Sequence, residues 1–159
     1  MSIDYYLIDT ANNKAFGLGR HGFFFKDELE YLYDPDMCLV TCLEFTLTDC
    51  AKPDEPEILE NDFAFALWFR DQLIAFTQGT SSANLKVVPD NGDDWFEFCR
   101  NGKGHPHNAG RMAGTKFYGD TNLVEYACTK YTPEQLTRLL ELCKIPWDAK
   151  HFADRLVFP

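Results

Sequence analysis

The stretch IDYYLIDTANNKAFGLG, residues 3–19, has the composition of a β-hairpin. IDYYLID contains the β-branched and aromatic residues that are typical of a strand, and TANNKA after it is a turn signal. FGLG can then return as the second strand of a hairpin. Because the strands of a hairpin run antiparallel, we expect the chain to begin with an antiparallel sheet.

Two segments further along the chain alternate as strands do. In MCLVTCLEFTLT (37–48) the residues at odd positions from Leu39 onward fall on one face, which predicts the clearest strand of the sequence. NLVEYACTKY (122–131) alternates in the same way. NLKVV (84–88) predicts a short strand that ends at Pro89, and PDNGDD predicts a turn after it.

Helical spacing occurs in three other segments. FKDELEYLY (25–33) predicts a short helix that stops at Asp34-Pro35. NDFAFALWFRDQLIAFTQG (61–79) predicts a buried helix with Asn61 or Asp62 as N-cap and Gly79 as its end. TPEQLTRLLELCKIP (132–146) predicts a helix with a Thr132–Gln135 capping box, an i,i+4 pair of Glu134 and Arg138, and an end at Pro146.

Together these elements predict one α+β domain over residues 1–159, with a mainly antiparallel sheet and three to four helices. DWFEFC (94–99) is ambiguous between strand and helix. Hydrophobic residues make up 45% of the chain and aromatic residues 15%, which excludes a disordered protein. The six cysteines include no C-x-x-C pair, so we expect reduced thiols in the core.

The N-terminus shows no basic region followed by an apolar one, and no apolar run is long enough to span a membrane. We therefore expect a cytoplasmic protein. The net charge is −10, and the segment Asp27–Asp62 alone carries twelve acids against Lys52. A field of this sign disfavours nucleic acid and anionic membranes and favours a basic partner protein. A solvated surface that aids solubility is the alternative.

The stretch NGKGHPHNAGRMAGTK (101–116) contains the residue types of a catalytic or metal-binding loop. His105 and His107 lack the second ligand pair that a zinc site requires. GLGRHG (17–22) matches the dinucleotide fingerprint literally, but it lacks the strand–helix context of a nucleotide-binding unit. No G-x-S-x-G elbow occurs. We expect no metal, no cofactor and no catalytic residues.

The opening YYLIDTANNKAFGLGRHG (5–22) resembles the start of immunity proteins from bacterial polymorphic-toxin systems. These proteins often begin with an aromatic strand, a short polar turn, and then an aromatic residue and a Leu-Gly pair. The resemblance implies a small, acidic, cytoplasmic protein that binds a cognate toxin and blocks its active site. A segment with a charge of −11 suits electrostatic capture of a basic toxin domain.

The sequence therefore predicts a non-enzymatic binding protein that neutralises a cognate toxin or effector. We expect the acids that bind this partner to be Asp49, Asp54, Glu55, Glu57, Glu60 and Asp62. Buried anchors would come from the aromatic residues Tyr33, Trp68 and Trp95. The alternative is a small enzyme or accessory domain that uses the loop around His105 and His107. The oligomeric state stays open.

Overall fold

Three antiparallel strands form a sheet within the residues that the structure describes. The computed structural model describes residues 3–19, 29–48, 60–100 and 123–146. Strand β1 is Tyr5–Asp9, β2 is Lys14–Gly19 and β3 is Leu85–Pro89. The predicted hairpin and the predicted strand ending at Pro89 are both confirmed, because β1 pairs antiparallel with β2 on one side and with β3 on the other.

The turn between β1 and β2 is built around the carboxylate of Asp9, which is fully buried. It accepts hydrogen bonds from the backbone N–H of Ala11 at 3.0 Å and of Asn12 at 3.1 Å, and from the Asn12 side-chain amide at 2.8 Å. Asn13 adopts a φ of 53°, a left-handed conformation that Asn tolerates. The Thr80 hydroxyl also donates to Asp9, at 3.0 Å. The polar turn therefore closes over a carboxylate whose bonds are all made within the protein.

Five α-helices lie within the described residues, one more than the upper limit that the sequence predicted. They are α1 (Pro35–Thr48), α2 (Glu60–Thr77), α3 (Asp93–Arg100), α4 (Leu123–Lys130) and α5 (Pro133–Leu142). Two 3-10 helices cover Leu29–Tyr33 and Ser82–Asn84. The α+β class with an antiparallel sheet is confirmed.

The predicted strand at 37–48 is wrong, because these residues form most of helix α1. The Asp34 carboxylate accepts hydrogen bonds from the N–H groups of Asp36 and Met37, so it caps the first turn. Five of the six side chains from Cys38 to Leu43 are buried, because α1 packs against both α2 and α5. A helix that is buried on several sides loses its 3.6-residue pattern, and the remaining alternation resembled a strand.

The predicted strand at 122–131 is also wrong, because Leu123–Lys130 is helix α4. Its buried residues Leu123, Val124 and Ala127 follow helical spacing against α2. The segment DWFEFC, which was open between strand and helix, forms α3. The segment at 25–33 is described from Leu29 onward, where it is a 3-10 helix that ends at Tyr33, directly before Asp34-Pro35.

The boundaries of the two predicted longer helices are partly confirmed. Helix α2 already begins at Glu60, so neither Asn61 nor Asp62 is its N-cap, but Gly79 follows its end with a φ of 77°. The capping box of α5 is confirmed in both of its hydrogen bonds. This helix ends at Leu142, before Pro146.

Two apolar layers enclose the sheet. On one face, Leu7, Phe16 and Val87 belong to the main core, which the sheet shares with α1, α2, α4 and α5. On the other face, Tyr6 and Val88 pack with Trp95 and Phe98 of α3, and the Tyr6 and Trp95 rings stack 4.0 Å apart. Sheet and helices thus form three layers over the described part of the chain. Within that part, no helix is long and apolar enough to cross a membrane.

Candidate functional site

The predicted partner-binding acids are only partly described. Asp49, Asp54, Glu55 and Glu57 lie outside the described residues, as does the whole loop 101–116 with His105 and His107. Glu60 is the first residue of α2 and Asp62 lies in its first turn, half-buried. The role of these acids in binding stays a prediction.

Four other acids of the segment Asp27–Asp62 lie within the described residues. Two of them are exposed to solvent, and two form hydrogen bonds that stabilise the fold. Glu30 and Glu44 are exposed. Asp34 and Asp36 stabilise the fold: Asp34 caps α1, and Asp36 binds the guanidinium of Arg138 with distances of 3.1 and 3.2 Å. The hydrogen bond from Arg138 lowers the pKa of Asp36. Arg138 thus pairs with α1, a contact that the sequence did not predict.

Two of the three candidate anchors belong to the core. Trp68 is 2% exposed and Trp95 is 8% exposed, so neither ring is available to a partner. This correction follows from their positions, since Trp68 lies in the middle of α2 and Trp95 covers the sheet. Tyr33 is 45% exposed and donates its hydroxyl to the Thr80 carbonyl oxygen at 2.8 Å.

A polar cluster lies at the edge of the main core, where α1, α2 and α4 meet; its Arg70 is buried and its other three side chains are half-buried. Arg70, which is 5% exposed, donates from Nε to Asp71 at 3.0 Å and from Nη1 to the Pro35 carbonyl oxygen at 3.1 Å. The Tyr131 hydroxyl donates to the Asp71 carboxylate at 2.7 Å, and the Tyr126 hydroxyl does so at the same distance. We call these four side chains, Arg70, Asp71, Tyr126 and Tyr131, the buried polar cluster.

The electrostatics of the buried polar cluster favour the charged form of Arg70 and the neutral forms of the two tyrosines. Burial, and then the hydrogen bond to Asp71, raises the pKa of Tyr131 to about 12 and raises the pKa of Tyr126 further. Burial alone would lower the pKa of Arg70, but the charges of Asp71 and Tyr131 and the hydrogen bonds to both together outweigh it, and the pKa rises. The phenols therefore stay protonated at neutral pH and are poor proton acceptors. The hydrogen bonds of the cluster join α2 to α1 and to the segment at the end of α4.

Burial likewise favours the protonated form of two described thiols, Cys42 and Cys143. Cys38 and Cys42 are fully buried, and burial raises the pKa of Cys42 well above its ordinary value. Burial also raises the pKa of Cys143 to about 11. Because the thiolate is the nucleophile, these groups are not activated. The described residues contain no group of three or more His, Cys, Asp or Glu that could hold a metal ion.

Helix α3 presents an acidic outer surface. Asp93, Phe96 and Glu97 are exposed, and three- and four-residue spacing places them on one side of the helix. The Phe96 side chain is 52% exposed, which makes it the most exposed large apolar residue in the described ranges. Acids in the first turn also stabilise the helix dipole. The exposed ring between two carboxylates has no comparable role in the fold.

A cleft of about 270 Å³ lies beside this surface, between the β1–β2 turn and α3. We call it the α3 cleft. The Lys86 and Asp94 side chains both line the cleft and are more than half exposed. The Lys86 ammonium donates a hydrogen bond to the Asp94 carboxylate at 2.6 Å. Its lining residues are Ile8, Thr10, Asn13, Lys86, Asp94, Glu97 and Phe98. The lining thus combines apolar side chains with two carboxylates.

No family model matches the chain, and neither a curated protein nor a solved structure shows significant similarity to it. The chemistry of its own residues therefore carries any functional assignment. Sequence reasoning missed both the buried polar cluster and the α3 cleft. A charged Arg70-Asp71 pair within an apolar helix could have indicated the cluster, since buried charges require partners. The cleft depends on contacts between distant segments, and the sequence pattern does not contain them.

Proposed function

We propose that the protein is a non-enzymatic, cytoplasmic binding protein that neutralises a cognate basic toxin or effector protein through an acidic surface. The observation that carries this proposal is the net charge of −10, which is concentrated in the segment Asp27–Asp62. The described residues add support, since Glu30 and Glu44 of this segment are exposed and α3 adds Asp93 and Glu97.

Such a charge distribution favours rapid capture of a cationic protein. Clustered charges of one sign attract the opposite charge over distances of about 10 Å at ordinary salt and raise the association rate. The same field repels nucleic acid and anionic lipid. The buried polar cluster is compatible with binding, because its tyrosine Tyr131 stays neutral and Arg70 stays charged at neutral pH.

The test uses the protein encoded by the adjacent gene, because immunity proteins are encoded beside their toxins. Co-expression of the full chain should restore growth of cells that produce this protein, and the purified pair should form a complex that weakens with salt. The triple variant Asp54→Asn/Glu55→Gln/Glu57→Gln should associate about tenfold more slowly at low salt, with little change in dissociation.

The matched control is Glu125→Gln/Glu134→Gln/Glu141→Gln, which changes the net charge by the same amount on α4 and α5. It should retain most of the association rate. An equal decrease of the association rate in both variants would show that the net charge of the protein, and not a localised acidic surface, determines this rate. If the adjacent protein is neither bound nor neutralised, the proposed function is wrong.

A further inference from the structure

We propose that the α3 cleft binds a cationic side chain of the partner, with arginine as the better fit. This inference rests on the proposed function, since it names the chemistry by which a basic protein is held. Different lining residues of the cleft would contact the apolar stem and the charged end of such a side chain. Ile8 and Phe98 offer apolar contact for the methylene groups, and Asp94 and Glu97 offer acceptors for the charged end.

The size of the cleft favours a single side chain. Pockets for drug-sized ligands occupy roughly 300–1,000 Å³, and the α3 cleft, at about 270 Å³, is smaller than this range. A guanidinium on a three-carbon stem needs less space than such a ligand. Its planar array of five N–H donors can bond to more than one acceptor at once. The Asn13 side chain in the lining can supply another acceptor.

The charge of the cleft favours a cation. Lys86 contributes one positive charge and pairs with Asp94 at 2.6 Å, so a second carboxylate, that of Glu97, is left to be balanced. Among the described residues, none donates a hydrogen bond to Glu97. An incoming guanidinium would bond to Glu97 and share the Asp94 carboxylate with Lys86.

The exposed ring of Phe96 extends the site beyond the cleft. It lies directly before Glu97 in α3 and is 52% exposed. A partner that places an arginine in the cleft would cover this ring with its neighbouring residues. Apolar contact of this kind, beside a charged anchor, is what makes a few residues dominate a protein interface.

The first experiment titrates the full chain with N-acetyl-arginine methylamide and follows backbone amide shifts by NMR. So small a ligand should bind with a Kd on the order of 1 mM. The shifts should concentrate at Thr10, Asn13, Lys86 and Glu97. The citrulline analogue, which is neutral and nearly the same shape, should produce no saturable shift. Equal shifts from both ligands, or shifts spread over the surface, would overturn the proposal.

Two substitutions in the cleft should change the affinity for arginine in opposite directions. Glu97→Gln should weaken arginine binding about two- to fivefold, in line with a partly exposed ion pair. Lys86→Gln should strengthen it by a similar factor, because the Asp94 carboxylate is then released to the ligand. Glu134→Gln on α5 changes the charge equally and should leave binding unchanged. A loss of affinity with Lys86→Gln would contradict the assigned geometry.

The two proposals can fail separately. If the adjacent-gene protein binds the wild type and the Glu97→Gln variant equally, the cleft is not its anchor and the proposed function stands. If that protein does not bind but the arginine ligand still occupies the cleft, the cationic site stands and the proposed function is wrong. N-acetyl-lysine methylamide is titrated in the same way, and tighter binding of this ligand than of the arginine ligand would contradict the assignment of the cleft to arginine.

Discussion

The Nη2 atom of Arg70 lies 2.8 Å from the hydroxyl oxygen of Tyr131, and that hydroxyl donates in turn to the carboxylate of Asp71 at 2.7 Å. One phenol thus bonds to both members of the ion pair. Since Arg70 and Asp71 belong to α2 and Tyr131 lies between α4 and α5, this contact fixes the two shorter helices on the longest one.

Replacing Tyr131 with Phe should lower the free energy of unfolding by about 1–3 kcal/mol, since a partly buried ion pair loses a donor and an acceptor. Tyr126→Phe is the matched control, because it removes a single hydrogen bond to Asp71 and should cost about 1 kcal/mol. Urea unfolding measures both values. Equal effects of the two substitutions would show that the contact to Arg70 adds nothing.

The same cluster makes the protein sensitive to alkaline pH. The ordinary pKa of tyrosine is 10.0, and burial and Asp71 raise the pKa of Tyr131 to about 12 in the folded protein. A raised folded pKa contributes stability that is present below pH 10.0 and is lost as the pH rises toward 12. Tyr126 shifts in the same direction.

We therefore expect the free energy of unfolding to fall with rising pH above about 10, the ordinary pKa of tyrosine. Urea unfolding at a series of pH values measures this slope. The Tyr126→Phe/Tyr131→Phe variant should show a shallower slope over the same range. If its slope equals that of the wild type, other groups cause the alkaline loss.

The antiparallel hairpin could be predicted because all of its signals are local. Alternating strand residues flank a polar turn, and the turn forms around its own Asp9 and Asn12. The capping box of α5 was predictable for the same reason. Helix α1 was not, since its burial depends on contacts with two other helices, α2 and α5, that its own residue pattern does not encode. Tertiary packing there overrides the local alternation.

The candidate site was less predictable than the fold. The acidity of the chain indicated a basic partner, but the sequence did not place Asp94, Glu97 and Asn13 around one cleft. That arrangement requires α3 to pack on the sheet through Trp95 and Phe98. The sequence shows which segments are charged, but only the fold shows which charged side chains of separate segments lie together.

The cap of α1 can be tested directly. Asp34→Ala removes the acceptor for the N–H groups of Asp36 and Met37 and should lower the free energy of unfolding by about 1 kcal/mol. Asp34→Ser retains a capping oxygen and should recover most of this loss. Urea unfolding of the three proteins distinguishes the outcomes. Equal losses for Ala and Ser would show that the loss does not arise from the missing capping oxygen.

Asp9 offers the sharpest test of the hairpin. Burial alone would raise the pKa of Asp9, but the hydrogen bonds from Asn12, Thr80 and Ala11 hold it below its ordinary value of 3.8. A lowered folded pKa contributes stability that is present above pH 3.8 and is lost as the pH falls through the folded value. Asp9→Asn places an amide group where one carboxylate oxygen accepts from Asn12 and Thr80.

We expect Asp9→Asn to lower the free energy of unfolding by about 1–3 kcal/mol at neutral pH, because buried donors lose their acceptor. On acidification the wild type loses the contribution of Asp9 and the variant has none to lose, so the difference between the two should shrink below pH 3.8. Asp93→Asn, at an exposed position, should change stability by less than about 0.5 kcal/mol. A difference between wild type and Asp9→Asn that stays constant with pH would show that the turn depends on the shape of the side chain and not on its charge.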